Sequence, residues 1–119
     1  MKNILNKKGI SSIDKYQKKC LETAIYPNQG NNIIYTLFGL GSEAGECQGI
    51  IKKAVRDYDG NLTKKLRDKM IKELGDCFWY LTMTCWELKI LPSEVLKINI
   101  DKLDNRKNRG VIGGSGDNR

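Results

Sequence analysis

Histidine is absent from this 119-residue chain. Without imidazole there is no ordinary zinc site and no Glu-x-x-His pattern of a di-iron bundle. Any general base must then be a carboxylate, a lysine or a tyrosine. Proline occurs only twice, as Pro27 and Pro92, so nothing between Asn28 and Leu91 forbids two long helices. None of the four cysteines (Cys20, Cys47, Cys77, Cys85) forms a CxxC pair, and each falls on or near a helical apolar stripe. Reduced thiols follow, not disulfides or a metal knuckle. No apolar run approaches the roughly 20 residues of a membrane span. The apolar part of the opening, Ile4-Leu5, is too short for a signal peptide. A cytosolic protein is expected.

What the chain does have is a phrase used twice. Glu43-Ala44-Gly45-Glu46-Cys47 and Glu73-Leu74-Gly75-Asp76-Cys77 both read acid, apolar, glycine, acid, cysteine. Residues three apart on a helix share a face, so each phrase points two carboxylates one way. One such pair is usually just a solvated helix face. Two near-identical pairs beside apolar stripes are more specific, because four converging carboxylates repel unless a cation lies between them. The pattern predicts a divalent-metal site built from two helices. The mid-helix glycines, each costing about 1 kcal/mol relative to alanine, predict close approach of another group to the backbone there.

The rest of the chain arranges itself around these phrases. The length predicts one domain over residues 1–109, with 1–10 a loose Lys-rich lead-in and 110–119 a flexible Gly-rich tail. Ser11 or Ser12 caps a first helix expected to run to about Tyr26, and Pro27-Asn28-Gln29-Gly30 breaks it. Asn31 or Asn32 opens the next helix, with Ile33, Leu37, Leu40, Ala44, Cys47 and Ile51 as its seam. Glu43 and Glu46 lie immediately beside that seam, half-buried. Asp57-Tyr58-Asp59-Gly60-Asn61 is a turn and Thr63 a cap. A matching stripe follows: Leu66, Met70, Leu74, Cys77, Leu81, Thr84, Leu88. Two matched stripes with matched acids predict antiparallel helices face to face. Pro92 begins the last helix at a position that tolerates it. Helices this long in so short a chain do not cover their apolar faces alone, so oligomerisation is expected.

The expected ligands, Glu43, Glu46, Glu73 and Asp76, are all hard oxygens, which favour magnesium, or manganese, over softer metals. The net charge of +7, from 21 basic and 14 acidic residues, sets an acidic focus in a basic chain. That distribution suits a metal-bearing polyanion such as a nucleoside triphosphate, and points to hydrolysis of a phosphoanhydride. It also suits nucleic acid, whose binding would be steeply salt-dependent and would need no magnesium. A non-catalytic nucleotide or nucleic-acid binder, or a helical interaction module with structural acid pairs, therefore stands as an alternative.

Glu43-x-x-Glu46 followed by Glu73-x-x-Asp76 resembles the MazG-like all-α nucleotide pyrophosphohydrolases, relatives of the all-α dUTP and dCTP pyrophosphatases. Leu40-Gly41-Ser42-Glu43-Ala44-Gly45-Glu46 is similar to that family's GEAGE turn of helix, with Ser42 in place of its usual glycine. The segment Lys72-Glu73-Leu74-Gly75-Asp76-Cys77-Phe78-Trp79-Tyr80-Leu81 resembles its KELGDVLWYL more closely still. Tyr16-Gln17, the Asn99, Lys102-Leu103, Arg106 series and the Gly-Ser-Gly-Asp-Asn-Arg ending extend the likeness over roughly residues 13–119. The resemblance implies an all-α four-helix MazG-like bundle, dimeric or tetrameric, that cleaves a (d)NTP to (d)NMP and pyrophosphate. It implies Mg2+ on Glu43, Glu46, Glu73 and Asp76, with Glu46 also orienting or deprotonating the attacking water. It implies nucleotide contacts at Tyr80, and phosphate or sugar contacts at Lys53, Asn99, Lys102 and Arg106.

Overall fold

The structure, a computed structural model, describes residues 12–119. The expected lead-in, residues 1–10, lies outside them. Four helices follow in order: α1 (Ile13–Thr23), α2 (Ile33–Asp57), α3 (Lys64–Glu87) and α4 (Pro92–Asn108). There is no strand among the described residues, so the all-α expectation stands.

Side chains chosen for capping set most boundaries. Ser12 accepts from the Lys15 amide, Asn32 from the Tyr35 amide and Thr63 from the Leu66 amide. At α4, Pro92 fills the first turn, and the Glu94 carboxylate accepts from the Leu91 amide at 3.0 Å. A second carboxylate reaches the same end from α1. Asp14 accepts from the Ser93 amide at 3.0 Å and its hydroxyl at 2.6 Å, fixing α1 to the start of α4.

The first helix is shorter than its sequence pattern. It ends at Thr23 because Ala24 turns extended and Pro27 disfavours a helical Tyr26 before it. Tyr26 is instead drawn to α3, where its hydroxyl donates to Glu87 at 2.5 Å. The Gly30 and Asn32 amides donate to the same carboxylate, each at 2.9 Å. Glu87 thereby organises the whole connection from α1 to α2. Gly30 is required there: its φ is +86°, and an added Cβ would lie 3.0 Å from the Trp86 ring.

Packing is dominated by the α2–α3 hairpin, which is antiparallel: Gly39 abuts Tyr80, Glu43 faces Asp76, and Ala54 packs with Leu66. Its loop end is closed by Ile50, Ala54, Leu66 and Met70. At the other end Cys20 and Tyr26 pack on Met83, with Tyr16, Trp79 and Trp86 around them. The acid phrases lie between these two apolar clusters.

The helix faces differ from the expected seam. On α2 the inward positions are Thr36, Leu40, Glu43, Cys47, Ile50 and Ala54; on α3 they are Leu66, Met70, Glu73, Cys77, Tyr80, Thr84 and Glu87. Leu37, Ile51, Leu74, Leu81 and Leu88, expected inside, are 40–58% exposed. Each helix carries two adjacent stripes, and one neighbour can cover only one of them. The hairpin closes on the stripe that contains the acids and leaves the more apolar one open.

The Gly-rich segment lies back along α4. Arg106 donates to the Gly116 and Asp117 carbonyls and to the Asp117 carboxylate, which also takes Lys102 at 3.2 Å. Positive φ at Gly110, Gly114 and Gly116 makes this reversal possible.

Candidate metal centre

Glu43 comes from the middle of α2, and Glu73 and Asp76 from the middle of α3. One oxygen from each of the three carboxylates lies within 4.8 Å of the others. Glu43 and Glu73 are half-buried and Asp76 is exposed. Burial pushes the Glu43 carboxyl above its ordinary range, and the charges of Asp76, Glu73 and Glu46 push it the same way. Among the described residues no lysine or arginine offsets that shift. Three hard oxygens in mutual repulsion, with no cation among them from the described residues, fit a divalent ion.

Glu46 stands apart from this trio. It is exposed, not half-buried, and lines a neighbouring concavity of about 330 Å³ together with Glu73, Lys52, Lys53 and Lys69. A step of three residues turns a helix by about 300°, so the second acid of the α2 pair lies beside the first, further round the helix.

On the opposite flank, Glu43 and Asp76 line a concavity of about 320 Å³ with Trp79 and Tyr80. The two rings meet edge-to-face with centroids 5.0 Å apart. Tyr80 is held there from behind. Its ring lies so close to α2 that a Cβ on Gly39 would fall 2.0 Å from it. Burial raises the Tyr80 hydroxyl pKa, with the Tyr35 hydroxyl and the Glu43 and Asp76 charges adding to it. Trp79 is tied outward, its indole N–H donating to Thr23 Oγ1 at 3.0 Å. Beneath the acids, Cys77 contacts Cys47. Burial, that contact and the nearby carboxylates keep Cys77 a neutral thiol, so the site's charged donors are oxygens.

The chain matches the MazG nucleotide pyrophosphohydrolase domain over residues 34–111. It belongs to that family. The matched region holds α3 and α4 entire and all of α2 but its first residue, and so both acid phrases. The chain is also 44% identical over 112 residues to Gene 37 protein of Mycobacterium phage L5, covering 90% of this chain and 98% of that protein. That name assigns no activity. No solved structure matches.

Against this MazG framework the sequence-predicted residues divide. Glu43, Glu73 and Asp76 converge, Tyr80 stands beside them, and Glu46 and Lys53 share the adjoining concavity. Asn99, Lys102 and Arg106 are on α4 and line neither concavity. Asn99 is exposed, whereas Arg106 is 5% exposed and engaged by the tail, as is Lys102. Two residues escaped the sequence reading. Lys69 is one of eight lysines and arginines from Lys52 to Lys72 and does not stand out among them, although it lies one turn before Glu73. Gly39 had no local signal at all. The glycines that did carry one, Gly45 and Gly75, have no neighbour within 4 Å of a built Cβ among the described residues, so none of these makes the close approach expected there.

Proposed function

We propose that this MazG-family chain is a magnesium-dependent nucleoside triphosphate pyrophosphohydrolase, converting a (d)NTP and water to the (d)NMP and pyrophosphate and so acting on nucleotide pools. The observation that carries this reading is the convergence of Glu43, Glu73 and Asp76 across a hairpin of that family. In the proposal these three hold Mg2+, with Mn2+ as a substitute, and Glu46 completes the ligand set. When bound, the metal polarises a phosphoryl oxygen and makes a bound water more acidic.

The chain's own groups do the rest. Glu46, exposed at the edge of the cluster, orients the attacking water and takes its proton. The bond broken lies between the α- and β-phosphates. Tyr80 contacts the nucleoside, and Lys53 meets the phosphates as their charge develops. Asn99 remains a proposed sugar or phosphate contact. Lys102 and Arg106 join the phosphates only if Asp117 gives them up, since it holds both.

The working molecule is a homodimer or homotetramer. Leu37, Ile51, Leu74 and Phe78 on the open face of the hairpin are 46–54% exposed, which a second subunit would cover. No helix among the described residues is long and apolar enough to cross a membrane. The four thiols are free, in keeping with a cytosolic setting.

A panel of canonical and modified NTPs and dNTPs, with Mg2+ or with EDTA, tests the reaction. Pyrophosphate and monophosphate should appear only with metal, and Glu73→Gln should lower the rate about 100-fold or more without unfolding the chain. Orthophosphate as the product would place cleavage at another bond. Salt-sensitive nucleic-acid binding without turnover would replace the enzyme by a binding protein.

A further inference from the structure

The four thiols differ in their settings. Cys20 and Cys85 are sealed, at 2% and 4% exposure. Cys47 and Cys77 are half-buried, and their thiols meet across the α2–α3 hairpin. The two stand 30 positions apart in the chain, so the fold makes this contact, not local sequence. Each directly follows an acid, Cys47 after Glu46 and Cys77 after Asp76. Glu43 also lies near the Cys77 thiol.

We propose that Cys47 and Cys77 are an oxidative modification site, a thiol pair that closes reversibly into a disulfide and thereby disarms the acid cluster. The oxidant is a peroxide, hydrogen peroxide in the simplest case. One sulfur attacks the peroxide: an S–O bond forms, the O–O bond breaks, and the released oxygen leaves as water. The other sulfur then attacks the sulfenic acid: an S–S bond forms, the S–O bond breaks, and a second water leaves. Two thiols and one peroxide give one disulfide and two waters. The sulfurs lose two electrons and the peroxide oxygens gain them.

The setting makes this pair selective. Half-burial admits a molecule as small as hydrogen peroxide, whereas Cys20 and Cys85 are closed to it. The second thiol is already in contact with the first, so the sulfenic acid is captured within the chain. Closure also changes the site, because a disulfide holds its sulfurs at roughly half the separation of two touching thiols. The middle of α2 is drawn toward the middle of α3, and Glu43 and Asp76 move with their helices. Magnesium tolerates little departure from octahedral geometry, so displaced oxygens hold it less well. This loss of function rests on the hydrolase reading above; the disulfide itself does not.

Wild type, Cys47→Ser, Cys77→Val and Cys20→Ser would be treated with hydrogen peroxide in EDTA and then freed of both. Mass spectrometry should find wild type and Cys20→Ser lighter by two hydrogens, with residues 47 and 77 linked within one chain. Dithiothreitol should restore the mass. Oxidised wild type should melt about 5 °C or more above the reduced form. It should hydrolyse nucleotide with Mg2+ about tenfold more slowly, or worse. Cys47→Ser and Cys77→Val should form no link and show no rise in melting temperature. An unchanged mass, added oxygen without the link, a link between two copies, or a link to Cys20 or Cys85 would overturn the proposal. A linked protein as active as the reduced one would remove the disarming effect. If neither form hydrolyses anything, the hydrolase reading fails, while mass and melting still decide the disulfide.

Discussion

Gly39 and Tyr80 are one unit although 41 positions separate them, because the ring occupies the volume that a side chain at 39 would need. Gly39→Ala forces Tyr80 out of place. Overpacking of this kind costs about 1–3 kcal/mol, which urea unfolding would register. The displaced ring borders Glu43 and Asp76, so KM for the nucleotide should rise as well. Adding Tyr80→Leu should restore the lost stability, and a double variant as unstable as Gly39→Ala would mean the strain lies elsewhere. At this scale the sequence was informative where chemistry repeats at helical spacing. The four acids stood out because a three-residue step is itself a geometry. Gly39 did not, since its partner lies on another helix and glycine leaves no local trace of what approaches it. Gly45 and Gly75 show the converse, a visible pattern with no contact among the described residues.

Between α1 and α2 the controlling group is a single carboxylate. Burial pushes the Glu87 carboxyl up, but the Tyr26 hydroxyl and the Asn32 and Gly30 amides outweigh it, leaving the group below its ordinary value of 4.5. A depressed carboxyl contributes stability that is complete above its unfolded value and is lost as pH falls through its folded one. Acid unfolding should therefore steepen below about pH 4.5 in wild type and lose part of that slope in Glu87→Gln. The variant should also be less stable at pH 7 by about 2 kcal/mol, since an amide oxygen accepts less strongly than a carboxylate from the same donors. Melting curves across pH 3–7 would check both, and a parallel displacement of the two curves would remove Glu87 from the account. The caps at Ser12 and Asn32 were legible to within one residue, and the cap at Thr63 and the first-turn Pro92 directly, because helix starts are local chemistry. The true end of α1 was less so, because Glu87, far along the chain, competes with the helix for Tyr26 and the residues after it. Lys102 and Arg106 illustrate the same limit: they read as phosphate ligands, and their tie to Asp117 depends on a chain reversal at three glycines.

As a whole, the described chain is open. Its Cα radius of gyration is 17.2 Å, where a compact chain of this length has about 13 Å. Large apolar side chains remain uncovered, among them Phe38 at 76% and Val55 at 65% exposure. Sedimentation of the wild type should give at least twice the 13.5 kDa subunit mass, and Ile51→Lys should bring it down toward the single chain. A wild type that sediments as one chain at assay concentration would rule the assembly out. The amphipathic periodicity foretold four helices and a paired hairpin. It did not foretell which stripe would face inward, because two apolar stripes on one helix are equivalent until the number of neighbours is known. The antiparallel pairing also sets where the chain can vary in length. A residue added at Asp59 or Asn61, in the exposed turn, lengthens the connection and leaves every partner across the hairpin in place. The same residue added between Leu66 and Glu73 would turn the second acid pair by about 100° and advance it by about 1.5 Å relative to the first. Descendants of this chain should therefore differ in length at the turn, while the spacing from turn to acid stays constant on both helices.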